Sequence, residues 1–170
     1  IELLSPAKNL EVGIAAINHG ADAVYIGPSQ FGARVAAGNS VEDIARLVEY
    51  AHKYYARVYV TLNTILKDDE LEPALLLVND LYNVGVDALI VQDMALLQMD
   101  LPPIALHAST QCDTRTVEKV RFLEQCGFEQ VVLARETSLD TMRQMSEQTN
   151  VALEAFVHGA MCVSYSGRCL

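Results

Sequence analysis

Short apolar runs alternate with longer stretches of helical periodicity from one end of this chain to the other. Strands are predicted over Glu2 to Ser5, Ala23 to Gly27, Val58 to Asn63, Ala88 to Asp93, Ile104 to Ala108, Gln130 to Ala134 and Val151 to His158. Helices are predicted between them, over Leu10 to Asn18, Val41 to Tyr54, Glu70 to Asn83, Thr116 to Cys126 and Leu139 to Glu147. The punctuation agrees. Ser40 precedes Val41-Glu42-Asp43, so its hydroxyl can cap free N–H groups while two carboxylates sit at the positive end of the helix dipole. Gly20, Gly85 and Gly127 each follow a helical run, where a left-handed residue is wanted. Strands that are apolar throughout, such as Ala88-Leu89-Ile90-Val91, require a sheet covered on both faces.

Strict βα alternation means parallel strands, which leaves a doubly wound sheet or a closed barrel. The position of the polar residues decides between them. Strands begin apolar and end on Ser5, Asn63, Gln92-Asp93, His107 to Gln111, Arg135-Glu136 and His158. Polar groups at the C-terminal ends of many strands match the catalytic face of a (β/α)8 barrel, whereas a doubly wound sheet gathers them at one switch point. Neither the G-x-G-x-x-G fingerprint nor a P-loop is present. The expected fold class is therefore α/β, a TIM-type (β/α)8 barrel. Seven strands in 170 residues fall short of the roughly 250 residues of a complete barrel. We thus expect residues 1–170 to form a single incomplete barrel domain, with the remainder downstream. The one long connection, Pro28 to Asn39, carries Arg34 and is placed where barrels keep substrate loops.

Composition narrows the function classes. With 51% hydrophobic residues the chain is not a disordered polymer, and 22 acidic against 12 basic residues, a net charge of −10, is not the balance of a generically basic nucleic-acid binder. The longest apolar run, Pro73 to Val78, is far short of the roughly 18–20 residues of a membrane span. No charged segment followed by an apolar one opens the chain, so a cytoplasmic location is expected. Four cysteines are too sparse for a disulfide scaffold.

The densest chemistry lies in Glu154-Ala-Phe-Val-His-Gly-Ala-Met-Cys-Val-Ser-Tyr-Ser-Gly-Arg-Cys169. Cys162 and Cys169, six residues between them, can place two thiolates on one metal or iron–sulfur cluster. The same spacing also suits two ordinary thiols, or a Cys162 nucleophile with His158 as its base. His107, beside Ser109, Thr110 and Gln111, is expected at the barrel mouth, and equally suits a hydrogen-bonded structural histidine. Period-two alternation puts Glu154 on one strand face with Phe156 and His158. A carboxylate inside a barrel needs a partner, for which Arg135 on the neighbouring strand is the candidate. Cys112 follows the polar run, where it can approach the mouth, Cys126 ends a helix and reads as buried, and Tyr50, Tyr54, Tyr55 and Tyr59 read as packing residues.

Together Ile1 to Asn9, Gly20 to Gly27, Asn63, His107-Ala-Ser-Thr-Gln111, Leu133-Ala-Arg-Glu136 and the stretch from Glu154 to Cys169 closely resemble the collagenase-like peptidase family, number thirty-two of unknown catalytic type. The last segment matches the family signature E-x-F-x-H-G-x-x-C-x-x-Y-S-G-x-C at every fixed position. Within the family the chain looks most like bacterial members that hydroxylate bases of ribosomal RNA or tRNA. Relatives serve oxygen-independent quinone synthesis, and the family name records a peptidase assignment, so a protease and a non-catalytic partner in quinone synthesis stand as alternatives.

The resemblance implies an iron–sulfur cluster, of the 4Fe-4S kind, on four cysteines. Cys162 and Cys169 match the first two, and the other two are expected downstream. It implies a prephenate-like organic acid as hydroxyl source. On this reading His107, Glu154 and His158 are the candidate catalytic residues. Arg34, Asn63, Gln111, Arg135, Tyr165 and Arg168 are the candidate substrate-binding residues. RNA, rRNA or tRNA, is the expected partner, gripped through the part of the protein that follows, because phosphate contacts need Lys and Arg and this segment is acidic.

Overall fold

The structure is a computed structural model that describes residues 1–32, 38–159 and 162–168. The chain divides into two compact units, Ile1–Ile104 and Ala105–Leu170. The first contains β1 (Leu4–Ala7), α1 (Leu10–Asn18), β2 (Ala23–Ile26), α2 (Val41–Lys53), β3 (Arg57–Leu62), α3 (Leu71–Asn83) and β4 (Ala88–Val91). The second contains β5 (Ala105–Ala108), α4 (Val117–Gln125), β6 (Gln130–Val132), α5 (Leu139–Gln148) and β7 (Ala152–Glu154).

Within each unit every strand pairs in parallel with the strand before it in sequence. The registers run Leu4 on Ala23, Ala23 on Arg57 and Tyr59 on Ala88 in the first unit, and His107 on Gln130 and Gln130 on Ala152 in the second. A doubly wound sheet would reverse strand order at a switch point, and neither unit does. The fold class is α/β of the (β/α) barrel type, as the position of the polar residues predicts. Among the described residues no helix is long and apolar enough to cross a membrane.

The helices follow from local chemistry. Ser40 Oγ accepts from the Asp43 N–H at 3.1 Å, and Asn9, Thr116 and Ser138 cap α1, α4 and α5 in the same way. The three glycines expected to end helices carry φ of 97°, 87° and 93°. In α2, Ile44, Leu47, Val48 and Ala51 recur at helical spacing and are all buried. A Cβ on Gly13 of α1 would lie 2.7 Å from Leu47 Cδ1, so the absence of a side chain there lets α1 pack closely on α2. With Val24, Ile26, Val60 and Leu89 fully buried, this is the centre of the first core. The second core gathers Val120, Leu123, Val131, Leu133 and Met145.

β4 and β6 each stop two residues short of expectation, and β1 and β7 depart furthest from it. β1 begins two residues later and runs through Pro6. Proline is tolerated there because β1 pairs only with β2 among the described residues, so no ladder needs its missing N–H. The last strand, expected to reach His158, stops at Glu154 because its neighbour leaves it. Leu133 still donates to Glu154 O at 2.9 Å, but the next amide on that side of the strand, Arg135, donates to Ser166 Oγ at 3.3 Å.

Candidate functional site

The second unit gathers its polar groups past the C-terminal ends of β5, β6 and β7. After β5, Ser109 Oγ accepts from the Gln111 N–H at 3.1 Å and caps a single tight turn over Thr110–Cys112. Asp113 follows with a φ of 51°, the left-handed region that short acidic side chains tolerate. That reversal lets Asp113 Oδ1 accept from Arg115 Nε at 2.5 Å. The Lys119 ammonium donates to the Cys112 carbonyl and tightens the same turn.

The signature loop is anchored on this base. The Ser166 N–H donates to Glu136 Oε1 at 3.0 Å, and Ser166 Oγ accepts from the Arg135 N–H at 3.3 Å. Arg115 reaches the same Glu136 oxygen at 3.6 Å, and its guanidinium lies over the Tyr165 ring, 5.6 Å from the centroid. The Arg168 N–H closes the turn on Tyr165 O at 3.1 Å. Gly167 is required twice over: its φ is 79°, and a Cβ would sit 2.8 Å from Asp113 Cβ and 3.1 Å from Gln111 O. The Tyr-Ser-Gly triplet of the signature is thus the part of the loop that docks on the segments following β5 and β6.

Electrostatics follow the contacts. The Ser166 N–H, with the Arg115 charge behind it, holds the Glu136 carboxyl below its ordinary range. The hydrogen bond that Arg115 donates to Asp113 raises the already high Arg115 value. Burial pushes the Cys112 thiol up to about 11, which suits a packed thiol and not a thiolate ligand.

The sequence-predicted residues fall into three groups. His107 is buried on β5, only 6% exposed, and Gln111 is half-buried in the turn that faces Gly167. Glu154 is half-buried at the end of β7 and accepts from Gln130 Nε2 at 2.7 Å. This corrects the expected Glu154–Arg135 pair: Arg135 instead lies over the Phe156 ring, 4.2 Å from its centroid. The register explains why, since Gln130 and not Arg135 lies within the strand that flanks Glu154. Tyr165, Arg168 and His158 are exposed, Cys162 is half-buried, and no hydrogen bond joins His158 to Cys162. Asn63, half-buried after β3, belongs to the first unit. Arg34 and Cys169 lie outside the described residues.

Sequence reasoning gave no site role to Arg115, Asp113 or Glu136, which together hold the loop, although Glu136 stands among the polar strand ends. The signal was thin. Arg115 and Glu136 are 21 positions apart in the sequence, and only the return of the chain after β6 joins them. At the base of the Pro28–Asn39 connection, Asn39 donates to Gly27 O and Lys8 O at 2.8 and 3.2 Å and pins the loop ends together.

Among the described residues no three His, Cys, Asp or Glu side chains converge as a metal site. The donor chemistry is compatible with a cluster only in part: Cys162 is a thiol on an anchored loop at the strand ends, and Cys112 is too buried to join it. Parallel βα units with loop-borne polar groups at the C-terminal strand ends define a protein of the (β/α) barrel class. The chain belongs to peptidase family U32, whose family model matches residues 8–170. It is 62% identical over 169 residues to the 23S rRNA 5-hydroxycytidine C2501 synthase of Escherichia coli, and 40% identical over 173 residues to tRNA hydroxylation protein P1 of Bacillus subtilis. Each match covers 99% of this chain, which spans 26% of the first relative's length and 41% of the second's. The solved structure of the U32 peptidase Mk0906 superposes with a TM-score of 0.75 over 91% of this chain and 67% of that one; at 15% identity it shows the shared fold.

Proposed function

We propose that the protein hydroxylates a cytidine base of ribosomal RNA. One observation carries this reading: identity to the ribosomal RNA enzyme is 62%, against 40% for the tRNA hydroxylation protein, over nearly the same residues. The Tyr165-Ser166-Gly167 turn, locked by Glu136 and Arg115, would hold the rest of the signature at the C-terminal strand ends, where barrel enzymes do their chemistry.

In this reading Cys162 and, by the signature, Cys169 supply two thiolates to an iron–sulfur cluster whose remaining ligands lie elsewhere in the protein. Such a cluster supplies one-electron chemistry when bound. The residues of this chain bind and orient. Gln111 and Glu154 offer an amide and a carboxylate to the exocyclic groups of the base, and His158 is placed to move a proton. Arg168, planar and permanently charged, is suited to a carboxylate of a prephenate-like hydroxyl source. The grip on the phosphate backbone is assigned to basic surface beyond these residues, since this segment carries −10.

The test is mass spectrometry of 23S rRNA from cells lacking the gene and from cells complemented with wild type, Cys162→Ala or His158→Ala. Loss of one oxygen atom's mass from the target cytidine, restored by wild type and not by Cys162→Ala, is the expected result. Unchanged RNA in the deletion strain, with peptide cleavage by the purified protein, would return the chain to the peptidase reading.

A further inference from the structure

Two arginines stand close to the signature loop, and the structure uses them differently. Arg115 is committed: Asp113 and Glu136 take its charge and Tyr165 covers its face. Arg135 is not. Its backbone N–H is tied to Ser166 Oγ at 3.3 Å, but among the described residues no carboxylate lies within ion-pair distance of its guanidinium. That guanidinium instead lies over Phe156, 4.2 Å from the ring centroid, and the ring is 42% exposed just past the end of β7. Both groups are exposed, so a planar cation and an aromatic ring, already stacked on each other, present their remaining faces to solvent.

We propose that Arg135 and Phe156 form a stacking platform for an unpaired nucleobase flanking the one that is modified, an assignment that rests on the RNA reading above. Guanidinium planes and aromatic rings are the two surfaces on which single-stranded bases stack, and the cation also attracts the adjoining phosphate. The Arg135 amide is held by Ser166, so the platform is fixed to the turn that carries the signature loop.

The experiment titrates the intact protein with a fluorescein-labelled single-stranded RNA oligonucleotide centred on the target cytidine, across a range of salt. Phe156→Leu is expected to weaken binding about tenfold with an unchanged salt slope, while Phe156→Tyr binds like wild type. Arg135→Lys is expected to keep the slope and weaken binding severalfold. Arg135→Gln is expected to lower the slope by about one as well. Wild-type affinity in Phe156→Leu overturns the platform, and so does equal weakening in both Phe156 variants with a lowered Tm, which would mean that the ring packs within the protein. A wild-type protein that does not bind the oligonucleotide also overturns it. Product analysis of matched samples supplied with prephenate as the hydroxyl source separates the two claims. Binding that depends on Phe156 without hydroxylation sinks the enzymatic reading and leaves the platform, whereas hydroxylation by Phe156→Leu at wild-type KM does the reverse.

Discussion

In the unit from Ile1 to Ile104 the ion pairs that join one element to another sit at the N-terminal ends of the strands; in the unit from Ala105 onward they sit past the C-terminal ends. Glu2, just before β1, accepts from the Tyr59 hydroxyl at 2.9 Å and from Arg57 at 3.2 Å. Asp87, just before β4, accepts from the Val58 N–H at 2.7 Å and meets His52 Nε2 at 3.0 Å. These contacts clip strand starts to one another over a deep aliphatic core, and burial pushes the Tyr59 phenol up to about 12. The Asp113–Arg115–Glu136–Ser166 cluster instead joins loops, over strands of three or four residues. In a (β/α) barrel the first location stabilises and the second serves chemistry, so similar ion pairs in the two units have different uses.

The comparison can be broken by substitution. The largest expected loss of stability is in the first unit: Leu47→Ala removes a fully buried side chain where α1 meets α2 and should cost about 2–5 kcal/mol. Thermal denaturation measures it, and product formed per folded molecule should not change. Gly167→Ala should show the opposite pattern. The strained φ and the clash with Asp113 would displace the signature loop and lower hydroxylation by about 100-fold, while Tm falls only slightly. A Gly167→Ala protein that loses stability without losing specific activity would erase the distinction between the units.

Tyr59→Phe tests the N-terminal cluster at smaller scale, with about 1–2 kcal/mol lost in urea denaturation and activity intact. Acid should act on the second unit through Glu136. Its carboxyl lies below the ordinary 4.5, so the favourable Ser166 contact is complete above that pH and is lost as pH falls through the lowered value. Hydrogen exchange at Ser166 should rise there before exchange at β3 does, and Glu136→Gln should show faster exchange already at neutral pH. The smallest effect is chemical: in cluster-free protein, iodoacetamide at pH 8 should alkylate Cys162 and leave Cys112 untouched until the chain is denatured, read by peptide mass spectrometry.

Much of the fold was legible in the residues themselves. The limits of α1 agree with the periodicity, and those of α2 to α5 to within a residue, because apolar spacing acts locally in every helix and a side-chain cap marks the start of α1, α2, α4 and α5. The strand ends at β1 and β7 were not legible, since a parallel strand lasts only as long as its neighbour stays beside it. The site divides in the same way. Cys162, Tyr165 and Gly167 announce themselves through a contiguous signature. Arg115 and Glu136 do not, because an arginine and a glutamate 21 positions apart carry no mark of their meeting.

By itself, then, the sequence determined the parallel βα order, the polar C-terminal strand ends and the family, all properties written in local spacing. Only the tertiary structure decided that Glu154 belongs to Gln130, that Arg115 is consumed in holding the signature turn, and that Arg135 is left facing Phe156. Partner choice among like-charged side chains depends on which backbones leave their strands and where. That is set by pairing between distant segments, not by the residues within any one of them.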